Sequence, residues 1–186
     1  MRKLSAIVCV ATAGLWWTPS YANNASRPWA KVGDWQIAID DSLGSGCFMV
    51  ASYQDGTAVR FGIDSLHRVS YIMIGNPAWR SIQLGQKYGI DVSFDNGQPK
   101  KWISEAIGGG KATFLLLPFT NYEVWNAIAR ANVVIFSYHR KRMTELPLTG
   151  TEAAVASVFE CQKQSGWLPG QADPFAPRNN ADPFAK

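Results

Sequence analysis

Cys47-Phe48-Met49-Val50-Ala51-Ser52-Tyr53-Gln54, then Asp55-Gly56, then Thr57-Ala58-Val59-Arg60-Phe61-Gly62-Ile63 read as two strands around a tight turn. Both runs are rich in β-branched and aromatic residues. Asp-Gly between such runs signals a hairpin, because glycine accepts the positive φ that a two-residue turn demands. Upstream, Asp34-Trp35-Gln36-Ile37-Ala38-Ile39-Asp40 alternates polar and apolar residues, the period of a half-buried strand. Asp41–Gly46, with two glycines and two serines, is a loop between them.

The same rhythm continues downstream. Val69–Ile74 reads as a strand ended by Gly75-Asn76-Pro77, and Trp79–Leu84 and Tyr88–Phe94 read as the next two. Asp95-Asn96-Gly97 is a second hairpin signal before Lys101–Ile107. Gly108-Gly109-Gly110 precedes Ala112–Leu117; a phosphate-cradling loop would run into a helix, and here a strand-like run follows. Asn132–Tyr138 and Met143–Leu148 complete the strands, with His139-Arg140-Lys141-Arg142 as the turn between them.

Two helices interrupt the pattern. Thr120-Asn121-Tyr122-Glu123 has the spacing of a capping box, followed by Val124, Ala127, Ile128 and Ala131 on one face. Thr149-Gly150-Thr151-Glu152 repeats the signal, opening a helix through about residue 164 with Ala153, Ala154, Ser157, Val158 and Cys161 inward. Some nine strands with turns at short intervals and two helices predict an α+β domain over residues 29–165. Its sheet is expected to be mainly antiparallel and strongly bent or barrel-like, with the last helix carrying a disulfide cysteine.

The chain has 186 residues, 47% of them hydrophobic and 12% aromatic, enough for one domain with a real core and hardly two. The ends are different in kind. Met1-Arg2-Lys3, the apolar run Leu4–Trp17 and the small-residue close Ser20-Tyr21-Ala22 have the order of a secretory signal peptide cut after Ala22. Residues 23–28 are a polar lead-in. Residues 166–186 form a Pro-rich tail, expected to be flexible, in which Ala172-Asp173-Pro174-Phe175-Ala176 recurs as Ala181-Asp182-Pro183-Phe184-Ala185.

A leader of this kind predicts a periplasmic or secreted protein, with no transmembrane segment once it is removed. The full chain is formally +4, and Arg2 and Lys3 belong to the leader. So small a positive balance gives no general affinity for nucleic acid. Losing Cys9 with the leader leaves Cys47 and Cys161, an even pair in an oxidising compartment, and a disulfide is the economical reading.

Two stretches carry a likeness. Val32-Gly33-Asp34-Trp35-Gln36-Ile37 resembles the opening Gly-Asp-Trp strand of the invasion-associated locus B proteins. Leu146-Pro147-Leu148-Thr149-Gly150-Thr151-Glu152-Ala153-Ala154 resembles their closing segment, and that of related small periplasmic proteins of unknown function from alphaproteobacteria. The resemblance implies a β-rich exported domain without known catalysis. The central cysteine pair typical of those proteins has no counterpart here.

Chemistry-bearing residues are sparse. Ser137 and His139 lie two apart on one strand, without a third acid that the sequence places beside them. His67 sits with Asp64 and Arg68 in a turn. Asp40-Asp41 lacks the alternating oxygen ligands of a calcium loop, and two cysteines with two scattered histidines lack metal-ligand spacing. No metal, cofactor or catalytic residue is nominated. His139, Arg140, Lys141 and Arg142 are the one dense basic run, a candidate for binding a polyanion or an acidic partner, and Phe175 and Phe184 are candidate hydrophobic anchors. Tyr71, Trp79, Tyr88, Trp102, Tyr122 and Trp125 are expected to be mostly core and cross-strand pairs.

The expected function is therefore an exported, non-enzymatic protein that binds another protein or an envelope component. The alternatives are a small envelope hydrolase using Ser137 or a carboxylate with His139, and a soluble ligand-binding β-barrel.

Overall fold

The described residues form ten strands and two α-helices, with one 3-10 turn at Asp41–Leu43: β1 (Ser26–Val32), β2 (Trp35–Asp40), β3 (Gly46–Ser52), β4 (Ala58–Asp64), β5 (Val69–Gly75), β6 (Lys87–Phe94), β7 (Lys100–Gly109), β8 (Ala112–Phe119), α1 (Glu123–Arg130), β9 (Val133–Tyr138), β10 (Lys141–Pro147) and α2 (Thr151–Ser165). The structure, a computed structural model, describes residues 26–95, 97–109 and 112–169. The leader-like residues 1–22 and the repeat with Phe175 and Phe184 lie outside the described residues.

All ten strands form one sheet in the order β1-β2-β3-β4-β5-β8-β7-β6-β9-β10, and every pairing is antiparallel. The sheet is open, with β1 and β10 at its edges, so no closed barrel forms among the described strands. It nevertheless bends far enough for β10 to return to the β2–β3 side. Tyr53 Oη, just past β3, donates to the Pro147 carbonyl at 2.8 Å, and Trp35 Nε1 donates to the Thr149 carbonyl at 3.1 Å. Burial, with Asp34 and Asp55 nearby, pushes the Tyr53 phenol up to about 12, which keeps it a donor. Each edge is blunted by a register shift, at Pro28/Ala30 and at Arg142/Thr144, and by Pro28, Lys31, Lys141 and Pro147.

The concave face holds the core. Trp35, Ile37, Met49, Phe61, Ile72, Leu117 and Phe136 are all essentially inaccessible, as alternation along each strand dictates. α2 packs on β1, β2 and β3, and α1 packs on α2. Trp125 of α1 donates its indole N–H to Ser70 Oγ at 2.8 Å and meets the rings of Phe119 and Phe159 at 5.9 and 5.3 Å. The buried Cys47 of β3 is joined to Cys161 of α2 by a disulfide. Beside it Gln162, also buried, accepts from the Cys47 amide at 2.7 Å and donates to Ser65 Oγ at 3.0 Å, so its amide is satisfied at both ends.

Several local expectations are corrected. Trp79–Leu84 is not a strand: bonds from Trp79 N to the Asn76 carbonyl and from Ile82 N to the Trp79 carbonyl wind it into successive turns that pack Trp79 and Ile82 against the core. Neither capping box forms. The Glu123 amide is capped by Asn121 Oδ1, not Thr120, and α2 starts after Gly150 with no side-chain cap. The inner stripe of α2 is Ala154, Val155, Val158, Cys161 and Gln162, while Ala153 is exposed. The β3–β4 loop is longer than Asp55-Gly56, since Tyr53 N bonds the Thr57 carbonyl around Gln54–Gly56. The folded part also runs wider than 29–165. β1 begins at Ser26, Trp167 packs against the core, and Pro169 is buried.

Candidate functional site

The β9–β10 hairpin turns in only two residues. Tyr138 pairs with Lys141, leaving His139 and Arg140 as the loop. Both have positive φ, 48° and 63°, the requirement of a type I′ turn that Asn-Gly ordinarily meets. Side chains other than glycine and asparagine adopt this region at a cost of about 1 kcal/mol or more each, and such strain collects at functional positions. Lys141 and Arg142 do not share the turn: they begin β10, and Arg142 forms an ion pair with Glu145.

Pairing of β6 between β7 and β9 brings further residues to this turn. A concavity of about 350 Å³ is lined by Lys87, Tyr88, Gly89, Asp91, Lys101, Tyr138, His139 and Arg140. Lys87, Gly89 and Asp91 alternate with the inward Tyr88, Ile90 and Val92, so they stand on the outer face. Gly89 forms a low floor: a Cβ there would have only the aliphatic stem of Lys101 within 4 Å, at 3.6 Å. Across the ladder Gly89 faces Ile103, which is 60% exposed. Tyr88 and Tyr138 meet edge-on at 5.8 Å, and Tyr138 meets the His139 ring at 4.2 Å.

Three cations and one carboxylate, Asp91, line this concavity, so its net charge is positive and its cations are not held in ion pairs. Lys87, Lys101 and Arg140 form no ion pair with any described residue, whereas Arg27, Arg60, Arg142 and Lys163 each hold a carboxylate. Asp91 faces Lys101 across the ladder without closing a bridge to it. The arrangement can accept an anionic group that approaches the backbone at Gly89.

The same strands bring Asp91 opposite Ser137, with His139 two residues on. No hydrogen bond joins any two of the three, so the structure presents no nucleophile paired with a base. His67 is held by Asp64, Nδ1 to Oδ2 at 2.7 Å, as turn decoration. Among the described residues no group of three or more His, Cys, Asp or Glu is placed to hold a metal. Of the six scattered aromatics, Tyr71 and Trp125 are buried, and Trp79, Tyr88 and Trp102 pack on the core; Tyr122, 45% exposed, meets Phe159 edge-on.

A second polar cluster lies on the outer face of β3–β5, where Arg60 Nε and Tyr71 Oη are buried without a hydrogen-bond partner among the described residues. Arg60 lies 3.5 Å over the Phe48 ring, contacts the Tyr71 ring and pairs with Asp40 at 2.6 Å. Asp40 also accepts from the amide and hydroxyl of Ser42, and Asp41 is taken by Arg27. The basic turn was visible in the sequence. Lys87, Gly89, Asp91 and Lys101 were missed as its neighbours, because only the β7-β6-β9 order assembles them. No family model, no curated protein and no solved structure matches the chain.

Proposed function

We propose that this is an exported, non-enzymatic binding protein whose concavity at the β9–β10 turn holds an anionic group of an envelope component or partner. The observation that carries the reading is the convergence of Lys87, Lys101 and Arg140, unpaired, on the glycine floor of that concavity. Export is supported by the signal-peptide order of residues 1–22, by the buried Cys47–Cys161 bond, and by the resemblance to invasion-associated locus B proteins. No helix among the described residues is long and apolar enough to cross a membrane.

Long-chain sodium polyphosphate is a suitable probe, titrated into the chain from residue 23 onward at low and moderate salt. Replacing Lys101 and Arg140 by serine removes two exposed charge contacts, so the affinity falls by about tenfold and its salt dependence flattens. Unchanged affinity and salt slope would return the basic concavity to an ordinary solvated surface.

A further inference from the structure

We propose that the concavity is occupied, in the resting protein, by the chain's own C-terminal Asp-Pro-Phe segment, Asp182-Pro183-Phe184. The inference rests on the anion-binding reading of the same site and names the occupant. Two features beyond charge define what fits there. Ile103 stands 60% exposed beside the cations, so an occupant that buries it gains apolar contact as well as charge pairing. Lys101 and Ile103 are two apart on β7, on the outer face, which places their Cα atoms about 6.6 Å from one another along the strand.

An occupant complementary to that pair carries a carboxylate and a large apolar group at the same spacing. Asp-Pro-Phe does so: the acid and the ring are also two apart, and proline fixes φ near the extended range between them. The tail supplies the motif twice, each time flanked by alanine, which leaves the approach to Gly89 clear of bulk. Reach is sufficient. From the buried Pro169, the thirteen residues to Asp182 span up to about 43 Å, while a domain of this size is roughly 35–40 Å across. Tethering holds the segment at an effective concentration in the millimolar range, so a contact too weak to persist between separate molecules is populated within one. An external polyanion must then displace it.

The test compares amide NMR spectra of the chain from residue 23 with those of a variant carrying Asp173→Asn, Phe175→Ala, Asp182→Asn and Phe184→Ala. The expected result is that signals of Gly89, Lys101, Ile103 and Arg140 move while those of the β2–β4 core do not. Polyphosphate should then bind the variant about threefold more tightly, its competitor having been removed. Unmoved signals at those four amides would overturn the proposal. If polyphosphate still binds the parent and loses about tenfold on Lys101→Ser with Arg140→Ser, the anion-binding reading survives that failure. If it binds neither the parent nor the tail variant, that reading falls too. Movement of the four signals on dilution of the parent would show that a second copy donates the segment, and would overturn the intramolecular form.

Discussion

The indole N–H of Trp35 donates to the Thr149 carbonyl at 3.1 Å, across 114 residues of chain. It joins the strand that follows Gly33-Asp34 to the residue before Gly150, so the opening of the domain and the approach to its last helix meet in one contact. Trp35 is buried. Trp35→Phe removes the donor and leaves a smaller ring in the same space, and should lower the unfolding free energy by about 2–4 kcal/mol in urea denaturation. A loss below about 0.5 kcal/mol would mean that the contact is dispensable.

The Asp40–Arg60 pair gives stability a direction in pH. Burial alone would raise the Asp40 carboxyl, but hydrogen bonds from Ser42 and Arg60 outweigh it and hold the group below its ordinary range. A folded-state value below the unfolded one contributes stability above the unfolded value, about 4, which is lost as pH falls through the folded value. Asp40→Asn should therefore cost about 1–2 kcal/mol at neutral pH. Thermal melts of the two proteins should converge as the medium is acidified below pH 3 or so. A gap that persists undiminished in acid would assign the effect to packing.

Breaking the staple should be costly. Cys47 and Cys161 are 114 residues apart, and the chain-entropy account of a loop that long gives about 4–5 kcal/mol, commonly less in practice. Cys161→Ser should lower the melting temperature accordingly in calorimetry. The chain from residue 23, unfolded in denaturant without reductant, should take up no alkylating reagent, since both of its sulfurs are bonded to each other.

The end of the folded region can be located by truncation. Trp167 packs half-buried against the core and Pro169 is buried, beyond the expected end at residue 165. A chain stopped at Gly166 should lose about 1–2 kcal/mol of stability, and one stopped at Gly170 should stay within about 0.5 kcal/mol of the parent. Equal stability of the two would mean that Trp167 contributes no net packing.

What the sequence revealed depended on whether a segment buries one face. β2 shows it plainly: Trp35, Ile37 and Ile39 turn inward and their alternation is readable. The start of β1, residues 26–28, reads as part of a polar lead-in because Arg27 and Pro28 sit on an edge strand with no inward apolar set. Trp79–Leu84 misled for the opposite reason. Its apolar residues are spaced well enough for a strand, yet it lies between Pro77 and Gly85, whose φ of 76° suits a turn, and folds on itself. The two bonded cysteines were legible by count. The concavity was legible only in Arg140 and His139, since Lys87, Gly89, Asp91 and Lys101 come from strands about forty to fifty residues upstream whose pairing no local pattern encodes.

The disulfide also sets an order of events. During synthesis β1–β5 emerge first, and each can pair with its immediate predecessor as it appears, a succession of local contacts that forms quickly. The helix that covers the inner face of β1–β3 is made last, some hundred residues later. Until it arrives, Trp35, Ile37 and Met49 stand on an uncovered sheet and the Cys47 thiol has no partner. The nascent chain thus passes through an aggregation-prone stage that ends only when α2 docks, and joint oxidation of the Cys47 and Cys161 thiols by a disulfide-donating oxidant of the compartment reports that docking.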